Sequence, residues 1–167
     1  MTTRRNGAKY SAYLIAKYFI WKTQQTGKLI SNKKLQKLLY YAQAWYLVFY
    51  NKPLFKESIE AWVHGPAVRE VYAKYRKYGF QPIEEQIKES VISNVDDSQD
   101  IDLLDEVWRV YGKCDADYLE RLTHSELPWQ EAREGVTPDE FSCNIIKLET
   151  MKNYYRELNE KRKGKDE

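Results

Sequence analysis

The longest hydrophobic pattern of the chain lies in residues 32–50. Apolar side chains recur there at intervals of three and four residues, the spacing of one helix face, and a second apolar stripe lies beside the first. A helix that is apolar around most of its circumference has to be covered by other elements. The pattern therefore predicts a central core helix, with Phe49 in its main stripe. Lys37 and Gln43 interrupt the apolar run, which is shorter than the roughly 20 residues of a membrane span.

Capping and stop signals predict further helices on both sides of this one. Ser11 is placed to begin a helix that Gly27 ends, and the short connection to residue 32 makes the two helices antiparallel neighbours. Thr137, Pro138 and Glu140 form the strongest local signal, a capping box with proline at the first helical position. Helices are predicted at residues 11–26, 32–50, 66–78, 115–122 and 128–134, from 100 or 102 to 111, and from 137 onward.

Residues 57–63 alternate between polar and apolar side chains, which is the pattern of a short β-strand. A single strand needs a partner, and residues 82–92, which alternate in part, are the predicted partner. The predicted fold class is therefore mainly α, a compact helical domain with this small β element. We expect one domain at residues 10–158, between a flexible arm at 1–9 and a charged tail at 159–167.

The composition indicates a globular domain with little chemistry of its own. The 167 residues are 43% hydrophobic and 31% charged, which suits a folded chain. Cys114 and Cys143 are too few for a disulfide framework, and the polar N-terminal stretch is not a secretory signal, so a cytoplasmic location is expected. Neither these cysteines nor His64 and His124 have metal-ligand spacing, and no catalytic motif is present. No catalytic residue, metal or cofactor is therefore predicted.

Charge is distributed unevenly along the chain. Residues 1–80 contain 15 Lys or Arg and three Glu, a net charge of +12, whereas residues 81–167 contain 12 Lys or Arg and 22 Asp or Glu, a net charge of −10. Two interpretations stay open. The halves fold onto each other and cancel, or the first half presents a basic face to an anionic partner.

Basic residues interleaved with tyrosine are the candidates for such a face. They could follow a nucleic-acid backbone, dock onto an acidic protein surface, or form an ordinary solvated surface. The candidate partner-binding residues are Lys33, Lys34, Lys37, Tyr41, Arg69, Lys74, Arg76 and Lys77.

Several ordered blocks carry a family resemblance. They are KLQKLLYYAQAW at 34–45, PLF at 53–55, IEAWVHGP at 59–66, Val71-Tyr72, Tyr78-Gly79, and LTHSELPW at 122–129 followed by Ala132 and Arg133. Together they resemble the Panacea domain, the SocA-like and phage-associated GepA-like group of small bacterial and phage proteins. The resemblance covers about residues 10–135, and it departs from the family at Ala67-Val68-Arg69, where Val-Val-Pro often follows the Gly-Pro. The motif residues interpreted as structural are Trp62, His64, Gly65, Pro66, Thr123, His124, Pro128 and Trp129.

The resemblance implies an antitoxin that is not an enzyme. Such domains bind a protein toxin encoded beside them, as in type II-like toxin–antitoxin systems and phage defence, and an alarmone-synthetase-like translation inhibitor is one toxin class paired with them. The alternatives are an adaptor that delivers the toxin to an unfoldase or protease, and a nucleic-acid-binding regulator that uses the basic half. A hydrolase or metalloenzyme is a third reading. No membrane partner is expected.

Overall fold

The computed structural model describes residues 7–165. In that range the chain is mainly helical with one two-stranded antiparallel sheet, so the predicted fold class is confirmed. A 3₁₀ turn, Arg76–Tyr78, directly follows the third helix. The elements are α1 (Ala12–Gln25), α2 (Asn32–Tyr50), β1 (Glu60–Trp62), β2 (Gly65–Ala67), α3 (Arg69–Tyr75), α4 (Glu89–Ile92), α5 (Ser98–Tyr111), α6 (Ala116–His124), α7 (Leu127–Ala132) and α8 (Leu148–Lys165).

Helix α2 is the centre of the fold, as its sequence predicts. Fourteen of its 19 residues are buried, and α1, α3, α5, α6, α8 and β2 all contact it. The Ser31 hydroxyl caps its first turn by accepting from the Lys34 N–H at 3.2 Å. Asn51 ends it in the left-handed conformation, with φ of 55°. Because burial of one leucine side chain contributes about 1.5–3 kcal/mol, this helix supplies much of the hydrophobic stabilisation.

Gln43 interrupts the apolar run of α2, but both ends of its side-chain amide form hydrogen bonds inside the protein. Its side-chain amide donates to the Phe55 carbonyl at 3.0 Å, and its oxygen accepts from the Leu54 N–H at 2.7 Å. A buried amide without partners costs about 1–3 kcal/mol. Gln43 therefore fixes the chain that follows α2 against the core.

The strand at residues 57–63 exists in shortened form, but its predicted partner is wrong. β1 pairs with β2 in the register Glu60 to Ala67 and Trp62 to Gly65, so the chain turns back after only two residues. Residues 144–146 lie on the other edge of β1, where the Ala61 N–H donates to the Asn144 carbonyl at 2.8 Å. Residues 82–92 cannot take that position because Ile83 is held by the Ile30 carbonyl at 2.9 Å, next to the start of α2.

Pro66 lies in β2 and does not begin a helix, contrary to the prediction for residues 66–78. The N–H of Val68 donates to the side chain of Gln36 on α2 at 2.8 Å. This contact holds the chain extended as far as Val68, and α3 begins one residue later.

The predicted helix start at Thr137 is also wrong. The Glu140 carboxylate does reach back to the Thr137 N–H at 3.3 Å, so the side-chain contact of a capping box forms. However, the Arg133 guanidinium takes the carbonyl oxygens of Thr137 and Glu140 at 2.9 and 2.6 Å. A helix would need those carbonyls for its own N–H groups four residues later. Residues 137–147 are therefore irregular, with residues 144–146 alongside β1, and α8 begins at Leu148.

Helix α5 begins earlier than predicted, because Asp97 is its N-cap and accepts from the Gln99 N–H at 2.9 Å. Asp100, one of the two predicted caps, is buried and accepts from the Tyr10 hydroxyl at 2.7 Å. Lys9 reaches the same helix start with its ammonium 2.8 Å from Asp97. Of the arm predicted at 1–9, Lys9 is thus tied to the domain, and residues 1–6 lie outside the described residues.

The charged tail predicted from residue 159 is helical as far as Lys165, because α8 continues without a break. An ion pair of Glu157 with Lys161 one turn on, at 3.5 Å, supports the helix there. Basic residues near a helix C-terminus also interact favourably with the helix dipole. Residues 166 and 167 lie outside the described residues.

Candidate partner-binding site

The family-motif residues from distant parts of the sequence meet where the hairpin β1–β2 packs on α6 and α7. Trp129 is buried at the start of α7 and donates its indole N–H to the Trp62 carbonyl at 2.9 Å. The His124 ring stacks on Trp129 with centroids 3.9 Å apart. These contacts fasten the hairpin to the helices. This motif junction consists of Trp62, His64, Gly65, Pro66, Thr123, His124, Pro128 and Trp129.

Gly65 occupies a position of the motif junction that requires glycine. Its φ is +106°, and a Cβ atom there would lie 2.6 Å from Cε of Lys37 and 3.0 Å from the Thr123 hydroxyl. Both the backbone conformation and the close approach therefore exclude a side chain. Lys37 passes directly beneath the hairpin and its ammonium donates to the Pro66 carbonyl at 3.1 Å.

Lys37 is an interior residue and not a surface one, since only 2% of it is exposed. Burial lowers the pKa of its ammonium to about 7; the charge of Glu120 opposes this shift and the charge of Lys33 reinforces it. A buried ammonium is unfavourable unless it is hydrogen-bonded. Lys37 is therefore a member of the scaffold that supports the motif junction.

Gly65→Ala is expected to lower the free energy of unfolding by about 1–3 kcal/mol, because alanine is strained at this φ and meets Lys37. Urea titration of the purified protein measures this. Gly164→Ala is the matched control: Gly164 lies in α8 with open space around it, and alanine there is expected to stabilise by up to about 1 kcal/mol. Equal effects of the two alanines would contradict the close packing of Lys37 under the hairpin.

Lys33 and Lys34, in the first turn of α2, contact residues of the second half of the chain. Lys33 lies 2.8 Å from Asp117 and 3.4 Å from Glu120. The exposed ring of His64 makes a 2.8 Å contact with the same Glu120. Lys34 donates to the Gly112 carbonyl at 2.5 Å. These contacts offset the unfavourable position of the lysines at a helix N-terminus and support the interpretation that the two charged halves neutralise each other.

The predicted basic face is therefore corrected for its α2 members. Lys37 and Tyr41 are buried, and Lys33 and Lys34 are engaged within the fold. The structure does not assemble the eight candidates into one surface. Four of the residues proposed to contact a nucleic acid are instead buried or engaged within the fold. The members that remain exposed are Arg69, Lys74, Arg76 and Lys77, on α3 and the turn after it.

One turn further along α2 from Lys37, a buried carboxylate lies against Tyr41; the sequence patterns did not single it out. Glu126 accepts from the hydroxyls of Tyr41 at 2.6 Å and Tyr155 at 3.0 Å. Burial raises the pKa of Glu126, and both hydroxyls oppose that shift. The Tyr41 ring stacks on Tyr111 at 4.0 Å. The sequence signal for this site is Glu126 inside the block LTHSELPW, but its partner Tyr155 lies 29 residues further along the chain.

An open groove of about 410 Å³ lies above this buried cluster, with α2 as its floor and α5 and α8 as its walls. Phe49 was predicted to lie in the core stripe but is 58% exposed, because the last turn of α2 reaches into the groove. Its ring stacks on Trp45, with centroids 6.1 Å apart. The residues that line the apolar groove are Trp45, Phe49, Tyr50, Gln99, Asp102, Leu103, Glu106, Val107, Val110, Tyr111, Asn159 and Arg162.

Neither a metal-binding cluster nor a membrane-spanning helix is present among the described residues. Residues 7–165 contain no group of three or more His, Cys, Asp or Glu side chains arranged to hold a metal ion. None of the helices in the described part of the chain is long and apolar enough to cross a membrane.

The sequence matches a known family over the elements that build this site. The family model described as "Antitoxin SocA-like, Panacea domain" matches residues 35–130. The chain belongs to this family. The resemblance seen in the sequence blocks is thereby confirmed. The matched region of the Panacea domain contains the motif junction, the floor of the apolar groove and its α5 wall, whereas α1 and α8 lie outside it.

A curated relative carries the same assignment. Antitoxin SocA from Caulobacter vibrioides (strain NA1000 / CB15N) is 34% identical over 115 residues, which are 64% of this chain and 61% of that protein. The chain thus spans about three-fifths of the length of the curated relative that it matches. No solved structure matches the chain.

Proposed function

We propose that the chain is the antitoxin of a type II-like toxin–antitoxin system and neutralises a protein toxin by binding it directly. The observation that carries this proposal is the match of residues 35–130 to the SocA-like Panacea domain. That region begins at the fourth residue of α2, ends two residues before the end of α7, and includes every element between them. The family match therefore extends over the centre of this fold.

The contacts of the buried charged side chains favour binding over catalysis. Lys37 donates to a backbone carbonyl, Glu126 accepts from two tyrosines, and Arg133 holds carbonyl oxygens of the chain that precedes α8. Each group is occupied by the fold itself, whereas a general acid, base or nucleophile has to reach a substrate. The action left to such a scaffold is recognition through its surface. The toxin would be covered at its substrate site or held in an inactive conformation.

Co-expression tests this function. The protein encoded by the neighbouring gene is induced alone, with the chain, and with the chain carrying a stop codon in place of Lys17. We expect growth to stop in the first and third cultures and to continue in the second, because neutralisation needs the translated protein. Growth arrest in all three cultures would refute the proposed function, and growth of the third culture would assign the rescue to the transcript.

A further inference from the structure

The apolar groove is a surface that the fold leaves open although its floor is aromatic. Phe49 stacks on Trp45, which is only 8% exposed, and Leu103 and Val107 line the α5 wall beside them. Aromatic side chains with one face packed and one face open are favoured at the centres of protein–protein interfaces. Tyr111 is held in place under the groove, because its ring stacks on Tyr41 and its hydroxyl accepts from the Trp45 indole N–H at 2.9 Å. The surface is therefore preformed.

The two walls of the groove carry opposite charges. On α5, Asp102 and Glu106 are one turn apart; Glu106 is paired with Arg109 at 2.5 Å, while Asp102 has no ion-pair partner within residues 7–165. On α8, the Arg162 guanidinium lies 6.0 Å from the Trp45 ring and likewise has no acidic partner within that range. The groove thus presents one free carboxylate and one free guanidinium across an apolar floor.

We infer that this groove is the toxin-binding surface and that its occupant is an amphipathic α-helix of the toxin. The inference rests on the proposed function. The bound helix places apolar side chains on Phe49 and Trp45. It carries a basic side chain toward Asp102 and an acidic one toward Arg162, which fixes its direction in the groove.

A helix fits this site because three helices already build it. The floor and both walls are helical, and α5 alone is 14 residues long, which is about 21 Å at 1.5 Å per residue. A fourth helix laid between α5 and α8 would complete a bundle at the usual 8–10 Å between axes. Recognition of this kind uses side chains spaced three, four and seven residues apart on the incoming helix.

Binding of purified variants to the protein encoded by the neighbouring gene tests the inference. Phe49→Glu places a charge on the floor, and Phe80→Glu makes the same change at a phenylalanine that is 94% exposed and outside the groove. Asp102→Lys reverses the charge of a groove wall, and Glu134→Lys makes the same reversal at an exposed turn after α7. Thermal unfolding of each variant shows whether it is folded.

We expect Phe49→Glu to weaken binding by about 100-fold and Asp102→Lys by about tenfold, with both control variants within about threefold of the wild type. Equal binding of Phe49→Glu and Phe80→Glu would overturn the inference while leaving the proposed function intact. Self-association of the wild type that Phe49→Glu abolishes, with toxin binding unchanged, would assign the groove to a second copy of the chain. Failure of the wild type to bind would remove the proposed function and the inference together.

Discussion

Arg133→Ala is expected to lower the free energy of unfolding by about 3–5 kcal/mol, although no carboxylate within residues 7–165 pairs with Arg133. The residue is 4% exposed. Its guanidinium donates to the carbonyl oxygens of Ala61 at 3.0 Å, Thr137 at 2.9 Å and Glu140 at 2.6 Å. Alanine would remove the guanidinium donor from all three carbonyls, of which only that of Thr137 keeps a backbone donor, the Glu140 N–H at 3.0 Å, and would release the segment that leads to β1.

Chemical denaturation of the purified variant measures this loss, with Arg156→Ala as the control. Arg156 is an exposed residue of α8, and its replacement is expected to change the free energy of unfolding by less than about 0.5 kcal/mol. Arg133→Lys keeps the charge but not the planar fork that spans several carbonyls, so we expect it to recover less than half of the loss. A loss below about 1 kcal/mol for Arg133→Ala would show that water replaces the guanidinium at low cost.

Lys37→Met is expected to change how stability depends on pH. The pKa of Lys37 is about 7 in the folded protein, whereas an unfolded chain has an ordinary lysine pKa of about 10.4. Between these values the unfolded chain binds more protons than the folded chain. The stability of the wild type therefore rises with pH through this window, by up to about 1.4 kcal/mol per unit for this one group. Lys37→Met loses that slope.

Unfolding free energies at pH 7, 8 and 9 test this prediction as a difference between wild type and variant, which cancels the contribution of other titrating groups. We expect the wild type to gain about 2–3 kcal/mol relative to Lys37→Met over these two units. Lys9→Met is the control, because the hydrogen bond to Asp97 raises the Lys9 pKa and Lys9 is not one of the charges that shift the pKa of Lys37. Lys9 stays protonated in both states at these pH values, so its variant should run parallel to the wild type. A parallel course for Lys37→Met would contradict the buried, neutralised amine.

The sequence predicts the centre of this fold well because α2 is decided by its own periodicity. A helix with apolar side chains on most of its surface has to lie in the core, and 14 of the 19 residues of α2 are buried. Phe49 continues that periodicity but lies at the end of the helix, where no neighbour covers it. A repeating pattern shows which residues share a face, but it does not show where the covering elements stop.

Local signals fail where a side chain outside the predicted element competes for the same backbone groups. The capping box at Thr137 is locally well formed, yet Arg133 takes the carbonyls that a helix needs. Pro66 is suited to a helix start, yet the side chain of Gln36 on α2 holds the chain extended at Val68. Gln36 is 32 residues from Val68, and Arg133, although only four residues before Thr137, is placed by its contact with the Ala61 carbonyl 72 residues away, so neither competitor can be recognised from sequence spacing.

Part of the candidate site could likewise be predicted from the sequence and part could not. The motif residues Trp62, Gly65 and Trp129 were found by their resemblance, and the structure brings them together in one junction. The lysines of α2 looked like a binding face because they are unfavourable at a helix N-terminus, but acidic residues of α6 already use Lys33. The apolar groove was missed altogether, since its walls come from α5 and α8, which are 36 residues apart along the chain.

The stoichiometry of neutralisation distinguishes binding from catalysis as the action of this Panacea domain. The protein encoded by the neighbouring gene, which we propose is the toxin, is held at a fixed concentration well above the dissociation constant, its activity is measured, and the purified chain is added in increasing amounts. We expect this activity to fall in a straight line and to reach zero at a small whole-number ratio of the two proteins. Complete inactivation by a small fraction of one equivalent would show turnover, which is incompatible with neutralisation by binding.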